Sequence, residues 1–126
     1  MIQNNQAIIY KQPLLKAFSN AFNGIKYFFK NERNGKIQAS VAIAVVIAGL
    51  YLHLSCTEWI TIFLCICSVL VLEMLNSAIE QLCDLVRSEY HPSIKIIKDV
   101  AAGAVLFASI ISSIIGLIIF LPKIFY

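Results

Sequence analysis

Five polar residues recur at helical spacing within an otherwise apolar part of the sequence: Glu73, Asn76, Ser77, Glu80 and Asp84. We call this set the polar stripe. In a helix that turns by about 100° per residue, all of them lie within about 60° of Glu73, on one face and along about 16 Å. Carboxylates are costly in a helix that crosses a membrane, so the polar stripe indicates a functional site.

The residue types suit phosphoryl transfer. Carboxylates of the polar stripe, together with that of Glu32, can hold Mg²⁺ through oxygen ligands and bound phosphates. Lys98 would neutralise phosphate charge, and a remaining carboxylate would accept a proton from a hydroxyl. The sequence has neither a GxxxxGK[ST] nor a GxGxxG motif, which excludes a P-loop and a protein-kinase nucleotide site.

The spacing leaves two alternatives open. The carboxylates would also serve an ion-conducting channel subunit as a relay. In a purely structural membrane subunit, Glu73 and Glu80 would form ion pairs with Lys95 or Lys98.

The composition indicates a small integral membrane protein. Of the 126 residues, 60% are hydrophobic and 13% are charged, and the mean hydropathy is +0.81. Globular domains carry about 45–50% apolar and about 25% charged residues, so a disordered chain and an ordinary soluble domain are both excluded. The length allows one domain with three membrane spans and short polar flanks.

Hydrophobic periodicity divides the chain into one surface helix and three spanning helices. Residues 14–30 carry apolar side chains on one face and lysines and asparagines on the other, which predicts a basic amphipathic helix in the membrane interface. Residues 31–36 are expected to form a polar turn. The spanning helices are expected at about residues 37–55, 59–87 and 94–121, the last ending before Pro122.

The basic residues predict how the helices cross the membrane. They precede the first span and return in the 87–98 loop, whereas residues 37–86 contain none. The positive-inside rule therefore places the N-terminus and the 87–98 loop in the cytoplasm and the C-terminus outside. The residues are Lys11, Lys16, Lys26, Lys30, Arg33, Lys36, Arg87, Lys95, Lys98 and, after the last span, Lys123.

The polar stripe is part of a longer pattern that resembles the prokaryotic diacylglycerol kinase family, which includes the undecaprenol kinases. The constellation ExxNxxxE…D…KD is far more specific than a three-glycine motif, and the resemblance covers about residues 14–122. The pattern consists of residues 31–34, 73–80, Asp84, 88–92, the pair Lys98 and Asp99, and 101–105.

The resemblance implies an ATP-dependent lipid kinase of the bacterial inner membrane. Its fold would be an all-α membrane protein with an N-terminal amphipathic surface helix and three transmembrane helices, in one domain over residues 1–126. The subunits would form a homotrimeric helical bundle whose active site is shared between neighbours. Mg²⁺ is the implied cofactor, ATP the co-substrate and a membrane lipid the acceptor, and no nucleic-acid partner is expected.

The same resemblance implies a role for each matching residue. Glu73 would be the catalytic base that takes the proton from the lipid hydroxyl, and Glu32 and Glu80 would bind Mg²⁺ with ATP. Glu73 and Ser77 would bind the lipid substrate, and Asp84 would support the site. The implied nucleotide-binding residues are Asn20, Glu32, Asn76, Glu80, Glu89, Tyr90, His91, Lys98 and Asp99.

The sequence departs from the family pattern near the N-terminus. Pro13 stands where an arginine is common, and Asn20 stands where an aromatic residue often occurs in the diacylglycerol kinases. Both departures bear on the expected N-terminal contacts with the nucleotide and leave the core constellation intact.

Two lipid acceptors remain open. Residues 32–34, 58–59, 91–92 and 119–123 are similar to the undecaprenol kinase branch, whereas Ser77 and residues 88–91 are similar to the diacylglycerol kinase branch. Undecaprenol is the preferred interpretation and diacylglycerol the alternative.

Overall fold

The computed structural model describes residues 13–126, and in this range every regular element is an α-helix. The helices are α1 Leu14–Asn31, α2 Arg33–Tyr51, α3 Cys56–Val86 and α4 Pro92–Phe125. The last three have the length and apolar composition needed to cross a membrane. The predicted all-α class with one amphipathic and three spanning helices is confirmed. Lys11, used above to predict the orientation, lies outside the described residues.

α1 is amphipathic and nearly matches the predicted range. Pro13 precedes it, and its carbonyl accepts the N–H groups of Lys16 and Ala17. The apolar face is exposed in the single chain, with Leu15 85% accessible, which suits a helix that lies in the membrane interface. Near the other end, Phe28 is buried and anchors α1 to α2.

A single residue, Glu32, separates α1 from α2, so the prediction of a polar turn over residues 31–36 is wrong. Its backbone is extended, its N–H donates to the Phe28 carbonyl (3.0 Å), and its carbonyl accepts the Lys36 N–H (3.2 Å). Residues 33–36 are helical because Gly35 packs directly on Phe28. A Cβ at Gly35 would lie 2.9 Å from both the Phe28 ring and its carbonyl oxygen. This tertiary contact outweighs the low helix propensity of glycine.

α2 ends in a Schellman turn. His53 adopts a left-handed conformation (φ 54°), and the Leu54 N–H donates to the Gly49 carbonyl (3.3 Å). The Leu54 side chain also packs at Gly49, together with the Trp59 ring. This turn explains why α2 ends at Tyr51 and not near residue 55.

α3 begins with a capping box. The Ser55 hydroxyl accepts the Glu58 N–H (3.3 Å), and the Glu58 carboxylate accepts the Ser55 N–H (2.8 Å). Because this cap satisfies backbone donors of the first turn, α3 starts at Cys56 and not near residue 59. Lys123 near the end of α4 reaches the same carboxylate (3.1 Å), so the end of α4 lies beside the start of α3.

α3 is the central helix of the chain. It packs against both α2 and α4. Within the most apolar 18-residue segment of each helix, 28% is buried in α3, against 11% in α2 and 6% in α4. At about 1.5 Å per residue its 31 residues span about 46 Å, which exceeds the roughly 30 Å of a bilayer's hydrocarbon core. The helix is therefore long enough to carry the polar stripe towards one membrane surface.

α4 begins and ends outside the predicted limits of 94–121. Pro92 occupies its first turn, and the His91 ring accepts the Ser93 N–H (3.1 Å) as a cap. The helix continues through Pro122 to Phe125. A proline this close to the end removes one backbone donor, and the Tyr126 N–H still bonds to the Pro122 carbonyl (3.0 Å).

The described chain leaves most of its large apolar side chains exposed. None of them is fully buried, whereas the polar residues Glu73, Asn76 and Ser77 are 5–7% exposed. A soluble domain shows the reverse distribution. The exposed apolar surface suits contact with lipid or with neighbouring subunits, and the homotrimer stays a prediction.

Substituting Gly49 by alanine is expected to destabilise the protein. The new Cβ would lie 2.8 Å from the Trp59 ring and 2.9 Å from Leu54. Such overpacking costs about 1–3 kcal/mol, which exceeds the gain of about 1 kcal/mol in helix propensity. Thermal unfolding in detergent micelles, followed by circular dichroism, measures the effect.

Gly116→Ala is the matched control. Gly116 lies in α4, and a Cβ there would meet nothing within 4 Å. Its unfolding midpoint should equal or exceed that of the wild type. Equal midpoints for the two variants would contradict the close contact between α2 and α3.

Candidate functional site

Polar residues from α2, α3, α4 and the junction between α1 and α2 meet at one end of the spanning helices. Three contacts join these segments: Gln81 Nε2 to Glu32 Oε1 (3.0 Å), Asn34 Nδ2 to Glu73 Oε2 (3.4 Å), and Lys98 Nζ to Asp84 Oδ1 (2.6 Å). The Lys123–Glu58 ion pair lies at the opposite end of α3. The three contacts therefore define one site, which contains the polar stripe.

Glu73 is the most enclosed carboxylate of the site. The residue is 5% exposed, and the amide of Asn34 contacts it at 3.4 Å. The lysines considered as structural partners bind elsewhere, because Lys98 pairs with Asp84 and Lys95 with Asp99 (2.5 Å). The ion pairs of Glu73 with Lys95 or Lys98 that the structural alternative expects are therefore not formed. Among residues 13–126, the Glu73 carboxylate is buried without an ion-pair partner.

Asn76 presents an unused acceptor at the site. Its Nδ2 donates to Glu80 Oε1 (3.3 Å), whereas its buried Oδ1 has no hydrogen-bond partner among residues 13–126. An unsatisfied buried polar atom costs about 1–3 kcal/mol, and such atoms in native proteins commonly face a ligand. This oxygen suits a cation or an O–H donor. Ser77 beside it is also buried.

Glu32 and Glu80 carry further carboxylate oxygens. The hydrogen bond from Gln81 holds the Glu32 carboxylate beside the turn of α3 that carries Glu80. Within the part of the chain that the structure describes, no three His, Cys, Asp or Glu residues lie close enough together to hold a metal. Mg²⁺ in nucleotide sites takes one or two carboxylates and completes its shell with water and phosphates. Together with Asn76 Oδ1, these residues fit a magnesium–nucleotide complex.

Lys98 is the cation of the site. It crosses from α4 to Asp84 on α3, and the two side chains are 36% and 65% exposed, respectively. Solvent screens an exposed ion pair, so Lys98 can exchange this partner for a more highly charged one. Asp84 in turn holds the ammonium next to the polar stripe.

The remaining predicted residues are distributed over α1, α4 and the connection between α3 and α4. Asp99 forms an exposed ion pair with Lys95, one turn away on the same helix, α4. Glu89, Tyr90 and His91 lie in the connection between α3 and α4, where Tyr90 is 78% exposed and His91 caps α4. Asn20 is exposed on α1.

Sequence reasoning gave no role to two residues that the structure places in the site, Asn34 and Gln81. Gln81 falls about 80° from Glu73 around the helix, just outside the polar stripe. Asn34 belongs to the 31–34 pattern of the family resemblance, which implied no role for it. The sequence signal for both was their position next to assigned carboxylates: Gln81 follows Glu80, and Asn34 is two residues after Glu32.

Fold and site together define a membrane-embedded helical protein with carboxylates, an amide oxygen and a lysine gathered at one end of its spanning helices. Comparison with known proteins identifies the family. Residues 19–120 match the sequence profile of prokaryotic diacylglycerol kinase, and the chain belongs to this family.

Individual relatives cover most of the chain. An undecaprenol kinase of Bacillus subtilis (strain 168) is 48% identical over 86% of this chain and 88% of its own length. A diacylglycerol kinase of Synechocystis sp. is 42% identical over 86% of this chain, which corresponds to 63% of that longer protein. A diacylglycerol kinase of Escherichia coli (strain K12) is 28% identical over 80% of this chain and 83% of its own length. The predicted lipid kinase of a bacterial membrane is confirmed.

Glu73→Gln is expected to stabilise the protein. The substitution keeps the shape of a side chain that is 5% exposed and removes a buried charge that has no cationic partner. Relief of this desolvation should raise the free energy of unfolding by about 1 kcal/mol or more. Chemical denaturation in mixed micelles measures the change.

Asp84→Asn is the matched control for this prediction. It also replaces a carboxylate by an amide, but Asp84 is exposed and paired with Lys98. The control should lose at most about 1 kcal/mol. A loss of stability in Glu73→Gln would show that the Glu73 carboxylate supports the fold.

Proposed function

We propose that this chain transfers the γ-phosphate of ATP to the hydroxyl of undecaprenol, giving undecaprenyl phosphate. The observation that carries the proposal is the buried carboxylate of Glu73, which has no cationic partner among residues 13–126, beside a group of polar oxygens and a lysine. The acceptor is proposed from the 48% identity with a protein named undecaprenol kinase. Diacylglycerol is the alternative acceptor, since other relatives carry that name.

Glu73 acts as the general base. Its carboxylate accepts the proton of the lipid hydroxyl, and the freed electron pair on that oxygen forms the new bond to the γ-phosphorus. The bond between the γ-phosphorus and the bridging oxygen breaks, and ADP leaves with that electron pair. Burial supports this role, because it shields the carboxylate from bulk water.

The nucleotide is held opposite this base. Glu32 and Glu80, with Asn76 Oδ1, would provide oxygen ligands for the magnesium–nucleotide complex. Mg²⁺ held by these residues would neutralise charge on the phosphate oxygens. Lys98 exchanges Asp84 for the phosphates and adds a positive charge where negative charge develops.

The other residues assigned from the family resemblance take supporting roles. Ser77, which is buried one residue after Asn76, lies where it can contact the lipid hydroxyl region. Asp84 positions Lys98. Contacts with the rest of the nucleotide are proposed for Asn20, Glu89, Tyr90, His91 and Asp99.

The proposed assembly is a homotrimer in the bacterial inner membrane. The N-terminus and the 87–98 loop lie in the cytoplasm with the site, where ATP is present, and the C-terminus lies outside. The extensive exposed apolar surface of the single chain supports contact with neighbouring subunits. A shared site would give this small chain enough surface to hold both a nucleotide and a lipid.

Phosphate transfer to lipid is the direct test. The purified protein in mixed micelles with Mg·ATP is expected to phosphorylate undecaprenol faster than diacylglycerol, and Glu73→Gln should reduce turnover on both by at least about 100-fold. Incorporation of labelled γ-phosphate into the lipid fraction measures both rates. A preference for diacylglycerol would reassign the acceptor, and activity on neither lipid would reopen the ion-channel alternative, which predicts ion flux in liposomes without ATP.

Glu80→Gln is expected to raise the Mg²⁺ concentration required for half-maximal activity. The amide keeps the shape of the side chain but is a weaker ligand for Mg²⁺ than a carboxylate, so the apparent affinity should fall about tenfold or more. Glu58→Gln is the matched control, because Glu58 binds Lys123 at the far end of α3. An unchanged Mg²⁺ requirement in Glu80→Gln would remove Glu80 from the metal site.

A further inference from the structure

We propose that Asn34 is a positioning residue that orients the Glu73 carboxylate towards the lipid hydroxyl by donating a hydrogen bond to Oε2. The assignment rests on the proposed kinase function and adds a residue to which the sequence gave no role. It starts from the only hydrogen bond recorded for the Glu73 side chain among residues 13–126, the 3.4 Å contact from Asn34 Nδ2.

The carboxylate of a general base needs a fixed orientation. Glu73 is 5% exposed, and the lysines nearest in sequence to the site bind Asp84 and Asp99. Salt bridges therefore do not fix the rotation of its side chain. A neutral amide that binds Oε2 leaves the other carboxylate oxygen, Oε1, available for the substrate proton.

The chain delivers Asn34 to this position through rigid contacts. Asn34 lies in the first turn of α2, between the extended residue Glu32 and the closely packed Gly35. Glu32 is held to α3 by Gln81 (3.0 Å), and Gly35 packs on the buried Phe28. Because both neighbours are fixed, the Asn34 amide is held near Glu73 even though Asn34 itself is exposed.

The length of the contact fits a positioning role in the substrate-free protein. At 3.4 Å it is longer than the usual 2.7–3.2 Å of an N–H···O hydrogen bond. Catalytic hydrogen bonds in unliganded enzymes are often long and shorten when the substrate binds. A lipid hydroxyl that binds Oε1 would complete the environment of the carboxylate and draw the amide closer.

Three substitutions of Asn34 separate hydrogen bonding from packing. Asn34→Ala removes the donor, Asn34→Asp keeps the shape but replaces the donor by a like charge, and Asn34→Gln keeps the donor on a longer side chain. The kcat is expected to fall about tenfold or more in the alanine variant and at least as much in the aspartate variant, with KM for Mg·ATP unchanged. The glutamine variant should retain more activity than the aspartate variant.

Asn23→Ala is the control, since Asn23 is also an exposed asparagine but lies on α1. It should keep wild-type kcat. Asn34→Gln and Asn23→Ala are expected to unfold at the wild-type temperature, whereas Asn34→Ala removes the hydrogen-bond donor of a buried carboxylate and Asn34→Asp places a like charge beside it, so both are expected to unfold at a lower temperature. A second readout is independent of turnover: the infrared carboxyl band that Glu73→Gln removes should shift in Asn34→Ala and stay in place in Asn23→Ala.

The outcomes separate this assignment from the proposed function. An active wild type with an equally active Asn34→Asp and an unshifted infrared band would overturn the assignment alone. A raised KM for Mg·ATP with unchanged kcat in Asn34→Ala would also overturn it, because Asn34 would then contact the nucleotide. A wild type inactive on both lipids would overturn the kinase proposal and this assignment with it.

Discussion

The arrangement of the polar residues in this structure depends on the buried carboxylate of Glu73. A carboxylate that is 5% exposed in an apolar helix is unfavourable unless the surrounding residues are arranged around it. Among residues 13–126, no lysine pairs with it, because Lys95 and Lys98 on the neighbouring helix each pair with an aspartate. The one hydrogen bond that the carboxylate receives comes from the uncharged amide of Asn34. This arrangement leaves the charge of Glu73 without a cationic partner in the part of the chain that the structure describes.

The two ends of the spanning helices differ in construction as a consequence. At one end, the Trp59 ring packs on Gly49, Ser55 caps the start of α3, and Glu58 binds Lys123. These contacts are short and mutually supporting, and they fix how α3 lies against α2 and α4. At the other end, polar side chains join α2, α3, α4 and the junction at Glu32, and within residues 13–126 one acceptor, Asn76 Oδ1, has no hydrogen-bond partner.

The sequence predicted the helices well and their connections poorly. Apolar runs and the spacing of the polar stripe are properties of single helices, so the four helices and the shared face of Glu73 and Glu80 follow from periodicity alone. The junctions depend on contacts between segments. Nothing local indicates that Gly35 would pack on Phe28 and extend α2 to Arg33. The cap formed by Ser55 and Glu58 was visible as an S-x-x-E pattern and was missed.

The same limit applies to the site. Periodicity placed Glu73, Asn76, Ser77, Glu80 and Asp84 on one face, and the family resemblance gave each of them a role. The contacts across helices could not be read from that face: Asn34 to Glu73 joins residues 39 positions apart, and Gln81 to Glu32 joins residues 49 apart. The pairing of Lys98 with Asp84 was equally out of reach, because it depends on how α4 packs on α3. Lys95 and Asp99, by contrast, are neighbours at i,i+4 spacing on one helix.

The one-residue junction at Glu32 also restricts how this sequence can vary in length. Glu32 ends α1, begins α2 and presents its own carboxylate to α3. An inserted or deleted residue here would rotate α2 by about 100° relative to α1. Gly35 would then leave Phe28, and Asn34 would turn away from Glu73. Substitutions on the exposed face of α1 leave this geometry intact, so variation between Phe28 and Gly35 should preserve the number of residues more strictly than their identity. Alignments of functional chains should therefore be free of gaps over this stretch.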